Sequence, residues 1–161
     1  MDKTRRQQLV EQYKDGYRVV MEALAGASDA ELDTSSAPGK WTPRQIVHHL
    51  ADSEMTSAVR LRLLIGSDRP DIKGYDQDQF ARRLFYRDRS IAASLEAFKG
   101  ARASTGEILD RLTESDWQSE GTHSEIGRYT VHHWLEIYGV HAHAHAAQIR
   151  VARQACARKT P

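Results

Sequence analysis

Histidine is the residue type in this chain best suited to chemistry. Seven of its eight histidines fall in three tight clusters, His48–His49, His132–His133, and His141, His143 and His145, while His123 stands alone. On an α-helix each residue turns about 100° and rises about 1.5 Å, so His141 and His145 differ by about 40° and one turn. Their imidazoles can converge on one ion. His143 lies about 200° from His141 and is a poor third ligand from the same helix. Trp134, Ile137, Tyr138, Ile149 and Ala152 mark an apolar stripe here, and His141, His145 and Gln148 fall inside it. A buried imidazole costs free energy unless its nitrogens are paired. A metal ion would satisfy two of them at once.

A third ligand must come from elsewhere. His48 and His49 are adjacent, about 100° apart on a helix, and cannot both face inward equally. Ile46, Leu50, Ser53, Leu61 and Leu64 sketch a core stripe that contains His49. His48 falls nearer its edge, where Asp52, one turn on, could pair with it. Three neutral imidazoles without a thiolate suit Zn²⁺, Ni²⁺, Co²⁺ or Fe²⁺ rather than Ca²⁺ or Mg²⁺. Three protein ligands also leave an open position, which a catalytic metal needs for water or substrate. The competing reading is surface pairs or hydrogen-bonded core histidines with no metal.

The elements that must position these residues read as four helices. The first runs from about Lys3 to Ala25, with Val10, Tyr13, Tyr17, Val20 and Leu24 at helical spacing. The second opens on Thr42-Pro43-Arg44-Gln45, a threonine cap with proline at the first helical position and glutamine three residues after the cap, and runs to about Ile65. Gly66 to about Gln79 reads as a long loop, of the kind that covers or binds something. The third spans about Ser90 to Leu112, with Ile91, Leu95, Phe98, Ile108 and Leu112 on one side. A polar segment from about Thr113 to Tyr129 leads to the last helix, which starts after Thr130 and ends near Ala155. Strand-type alternation is scarce. The expectation is one all-α domain over residues 1–161, a four-helix bundle with long loops after the second and third helices, its connections permitting topologies other than simple up-down.

Composition narrows the function classes. The 161 residues carry 23 basic and 22 acidic side chains, a net charge of +1, which disfavours generic nucleic-acid binding. The single cysteine, Cys156, excludes an intramolecular disulfide framework and a cysteine-rich metal site. No membrane span and no secretory signal is expected, so the default location is the cytoplasm.

The run from Lys40 to Ser53, KWTPRQIVHHLADS, resembles the signature of the DinB-like superfamily, and most closely its YfiT-like branch. Arg69 to Asp76 resembles that branch's proline–isoleucine–tyrosine–aspartate loop. The stretch around His123 and Glu125 resembles its histidine–proline–glutamate segment, and Tyr138 to Ile149 its histidine-rich last helix. The resemblance covers about residues 40–152. It implies a four-helix bundle with three histidine ligands, His49, His141 and His145, around zinc, nickel or a related divalent ion, and a homodimer. It also implies activity on a small molecule, either hydrolysis or S-transfer with a low-molecular-weight thiol as co-substrate. The chain departs from the branch at Glu54, where a further histidine is frequent, and at Phe80, Ser124 and Gln148.

Four more residues are candidates for the chemistry itself. Tyr75 and Asp76 could line the pocket and move protons, Gln148 could hydrogen-bond a bound water, and His123 could reach the site from its loop. Each also has a plainer reading as a packed or solvated side chain. Trp41 is expected to staple onto the second helix, and most of the arginines clustered between Arg60 and Arg89 to be solvated, one or two of them free to bind an anionic substrate. The leading expectation is a metal-dependent transferase or hydrolase. Its rivals are a non-catalytic metal-binding bundle with a structural or stress-response role, and a metal-free dimeric scaffold.

Overall fold

The computed structural model describes residues 1–158. In chain order it contains α1 (Lys3–Leu24), a one-turn α2 (Asp29–Leu32), α3 (Pro43–Gly66), β1 (Asp71–Ile72), α4 (Gln77–Arg83), α5 (Ala92–Leu109), β2 (Glu120–His123), β3 (Gly127–Thr130) and α6 (Val131–Ala157). The long helices α1, α3, α5 and α6 form a four-helix bundle, as expected. α6 lies between α1 and α3, and α5 lies between them on the other side. Helices α1 and α3 therefore sit across a diagonal although they are consecutive long helices, and so do α5 and α6. A simple up-down bundle places consecutive helices side by side.

The N-terminal ends of both site-bearing helices are set locally. Thr42 and Gln45 close a capping box at the start of α3, with Gln45 N–H donating to Thr42 Oγ1 at 3.3 Å and Thr42 N–H to Gln45 Oε1 at 3.1 Å. Pro43 occupies the first helical position, where a missing N–H costs nothing. Thr130 caps α6 by accepting from His133 N–H at 3.1 Å.

The core divides along the bundle. One apolar cluster gathers Leu9, Leu61, Leu109 and Trp134, and the other Val20, Leu50, Phe98 and Ile149. Between them along the helices lies a polar layer. Glu54, 0% exposed, accepts from Arg102 Nη1 at 2.6 Å and from the Tyr13 hydroxyl, and Arg102 also donates from Nε to the Tyr13 carbonyl at 2.9 Å. Gly16 makes room for this layer: a Cβ there would stand 2.7 Å from both the Arg102 guanidinium and the Ala142 Cβ.

Three expectations are corrected. The long connections are not bare loops: β1 pairs in parallel with β2, β2 pairs antiparallel with β3, and α4 folds between β1 and α5. Gly127, at φ +73°, supplies the left-handed residue that closes the tight β2–β3 turn. Ile137 is 43% exposed rather than part of the core stripe of α6. The buried face is centred on Ala142 and Ala146, which pack closely but give a weak hydropathic signal. His48 is fully buried, not at an edge with Asp52. Its Nδ1 pairs with Ser94 Oγ at 2.7 Å and its Nε2 with the Arg89 carbonyl at 3.3 Å, while Asp52 accepts from the Tyr86 hydroxyl.

Candidate metal centre

Facing positions on α3 and α6 bring His49, His141 and His145 together. Nε2 of His141 lies 3.2 Å from Nε2 of His49 and 3.1 Å from Nε2 of His145. All three ligand atoms fall within 4.8 Å of one another, and no other such group of three occurs among the described residues. His143 points the other way, as its 200° offset predicts, with Nε2 3.1 Å from the Gln12 carbonyl on α1.

The protonation pattern fits a cation better than a hydrogen-bond ring. His145 donates Nδ1–H to Gln148 Oε1 at 2.9 Å, which leaves its Nε2 as a lone pair. His141 can give its one Nε2 proton to His145, but then offers nothing to His49. A divalent ion accepts all three lone pairs at once. Ligands around tetrahedral zinc, at about 2.0–2.1 Å from the metal, stand about 3.3–3.4 Å apart, close to the two spacings from His141. Burial keeps the imidazoles neutral: it pushes the pKa of His49 down to about 3, with the neighbouring His145 adding to the effect. Burial likewise lowers His145 and takes His141 well below the usual range. The Nδ1 atoms of His49 and His141 are buried and have no hydrogen-bond partner among the described residues.

The surroundings assign places to the remaining candidates. Gln148 orients His145, a position on the rim that the i+3 spacing could have suggested. Trp41 does more than staple a helix. Its ring lies 4.8 Å from that of His49, and it lines a cavity of about 510 Å³ together with Lys40, Gln77, Asp78, His145 and Gln148. No sequence signal separated this role from packing. Tyr75 stands near Ser53, one turn beyond His49 on α3, so it approaches the site. Asp76 is exposed and its Oδ1 accepts from Asp78 N–H and Gln79 N–H, both at 2.9 Å, which makes it the cap of α4. His123 is buried on β2, its ring 5.3 Å from that of Tyr129 and its Nδ1 accepting from Glu125 N–H at 3.2 Å. It is outside the three-histidine group. Glu54, in place of the frequent histidine, belongs to the Arg102 network of the core.

Known proteins share this fold. A family model described as the DinB superfamily matches residues 12–149. Relatives include a protein of Oceanobacillus iheyensis, 31% identical over 87% of this chain and 81% of its own length. Another, from Geobacillus thermodenitrificans, is 32% identical over 82% of this chain and 75% of its own. Both bear the name "putative metal-dependent hydrolase". Among solved structures, YfiT from Bacillus subtilis superposes with a TM-score of 0.88 at 26% identity, over 96% of this chain and 89% of that one. It is described as having an unusual four-helix bundle topology.

Proposed function

This chain belongs to the DinB superfamily, and from that membership we propose that it is a divalent-metal-dependent enzyme acting on a small molecule, with His49, His141 and His145 as the ligands. The observation that carries the reading is the convergence of three neutral Nε2 atoms at 3.1 and 3.2 Å. Zinc or nickel suits this donor set. When bound, such an ion supplies a Lewis acid that lowers the pKa of a water or a thiol.

Between hydrolysis and thiol-dependent transfer, the surroundings favour transfer. No carboxylate hydrogen-bonds any of the three imidazoles among the described residues. Gln148, Trp41, Ser53 and the tyrosines beside them are poor general bases at neutral pH, and Asp78, the carboxylate that lines the cavity, bonds none of the three imidazoles. A thiol that has lost its proton needs no further base to attack an electrophile, whereas hydrolysis gains from one. Trp41 walls the site with an apolar face, Gln148 holds the His145 ring, and the cavity has the size of a small-molecule pocket.

Elemental analysis of untagged protein tests the site. One equivalent of metal is expected in the wild type, and none in His49→Ala or His145→Ala. Unchanged metal content in those variants would sink the assignment. Turnover of an electrophile only when a small thiol is present supports transfer, and equal turnover with water alone assigns hydrolysis instead.

A further inference from the structure

Arg60 is a cation without a counter-charge. It is 9% exposed, yet no carboxylate lies within ion-pair distance among the described residues. Nη1 donates to the Tyr138 hydroxyl at 3.2 Å and Nη2 to the Lys73 carbonyl at 2.6 Å, while Nε is buried without a partner. Burying an unpaired charge costs several kcal/mol in general, and the other buried arginine among the described residues, Arg102, avoids that cost by pairing with Glu54.

Two hydroxyl-bearing rings stand beside Arg60, those of Tyr138 and Tyr75. The guanidinium lies 5.7 Å from the centroid of the Tyr75 ring. Ser53 stands near the hydroxyls of both Tyr75 and Tyr138, and burial keeps both phenols protonated. This cluster adjoins the histidines from two sides. Ser53 follows His49 by one turn of α3, and the Tyr138 ring stands 5.8 Å from the His141 ring in an edge contact.

Resting on the metal-site reading above, we infer that Arg60, with the Tyr75 and Tyr138 hydroxyls, forms a subsite that binds a carboxylate on the small-molecule substrate or thiol beside the three histidines. One guanidinium matches one negative charge, and its planar fork suits a carboxylate. A substrate held there by its carboxylate keeps its reacting end at the imidazole cluster. Substrates would then be acids, and their amides poor ones.

The test compares 3-mercaptopropionate with 3-mercaptopropionamide by isothermal titration into zinc-loaded protein. The acid should bind the wild type at least about tenfold more tightly, a difference of about 1.4 kcal/mol. That advantage should vanish in Arg60→Gln, which can still donate to the Lys73 carbonyl, and in Arg60→Met. Equal affinity in the wild type, or an advantage that survives both substitutions, overturns the subsite. A second arm uses metal-free wild-type protein and follows the Arg60 Nε–H resonance by ¹⁵N NMR. Butyrate should shift it and butyramide should not; no shift with butyrate overturns the subsite whether or not the variants fold. Failure to take up zinc sinks the metal reading alone, because the NMR arm still decides Arg60.

Discussion

Gln148 touches only one of the three imidazoles, but it sets which nitrogen of His145 carries the proton. Partners of this kind typically contribute a factor of about 10–100 in metal affinity. Gln148→Leu should weaken zinc binding by about that factor without abolishing it, measured by competition with a chromophoric chelator. The buried histidines also predict how stability varies with pH. His48, His49, His123, His141 and His145 all have pKa values lowered mainly by desolvation. Below about pH 6.5 the unfolded chain takes up protons that the folded chain refuses. Stability of the metal-free protein is therefore highest above pH 6.5 and falls as pH drops, by up to about 1.4 kcal/mol per pH unit for each such histidine. Urea melts at pH 7.5 and 5.5 check the sign: a midpoint that rises on acidification contradicts it. Spacing was enough to place His141 and His145 on one face and His49 on a facing stripe. It could not reveal that Trp41 lines the same pocket or that Arg60 is buried, since both depend on contacts with distant segments.

At the level of elements, the helix starts were the most legible feature. Thr42-Pro43-Arg44-Gln45 announces the start of α3, and the capping box forms as read. Thr42→Ala should cost about 1 kcal/mol in a chemical melt. The short elements were not legible. Strands of two to four residues and helices of four and seven are too brief to establish a period, and they form because the bundle holds their ends. The polar layer was also hidden, because Glu54 and Arg102 lie 48 residues apart and meet only across α3 and α5. Glu54→Ala strands the Arg102 charge and should cost about 3–5 kcal/mol. Glu54→Leu combined with Arg102→Met should recover most of that loss, and a double variant as unstable as the single one would show that the pair does more than neutralise itself. Gly16→Ala drives a methyl against Arg102 and Ala142 and should lower stability by about 1–3 kcal/mol.

At the scale of the whole molecule, the proposed metal would be coupled to the fold. Two ligands come from α6 and one from α3, so an ion bound by all three clamps neighbouring helices. Binding that requires the native arrangement raises apparent stability by mass action, about 4 kcal/mol when free metal is a thousandfold above Kd. Chelation should lower the melting temperature of the wild type by several degrees and leave that of His145→Ala nearly unchanged, as differential scanning calorimetry can show. The four-helix architecture itself was readable from hydropathic period and turn residues. Its diagonal placement of α1 and α3 was not, because long connections leave the order of neighbours open and packing decides it.

That placement bears on how the protein is made. His49, on α3, is synthesised well before α6, which carries the other two histidines. A solitary imidazole holds a transition metal feebly. An ion held by all three imidazoles, as proposed, would therefore be captured only after α6 has been made, from whatever metal the compartment then offers.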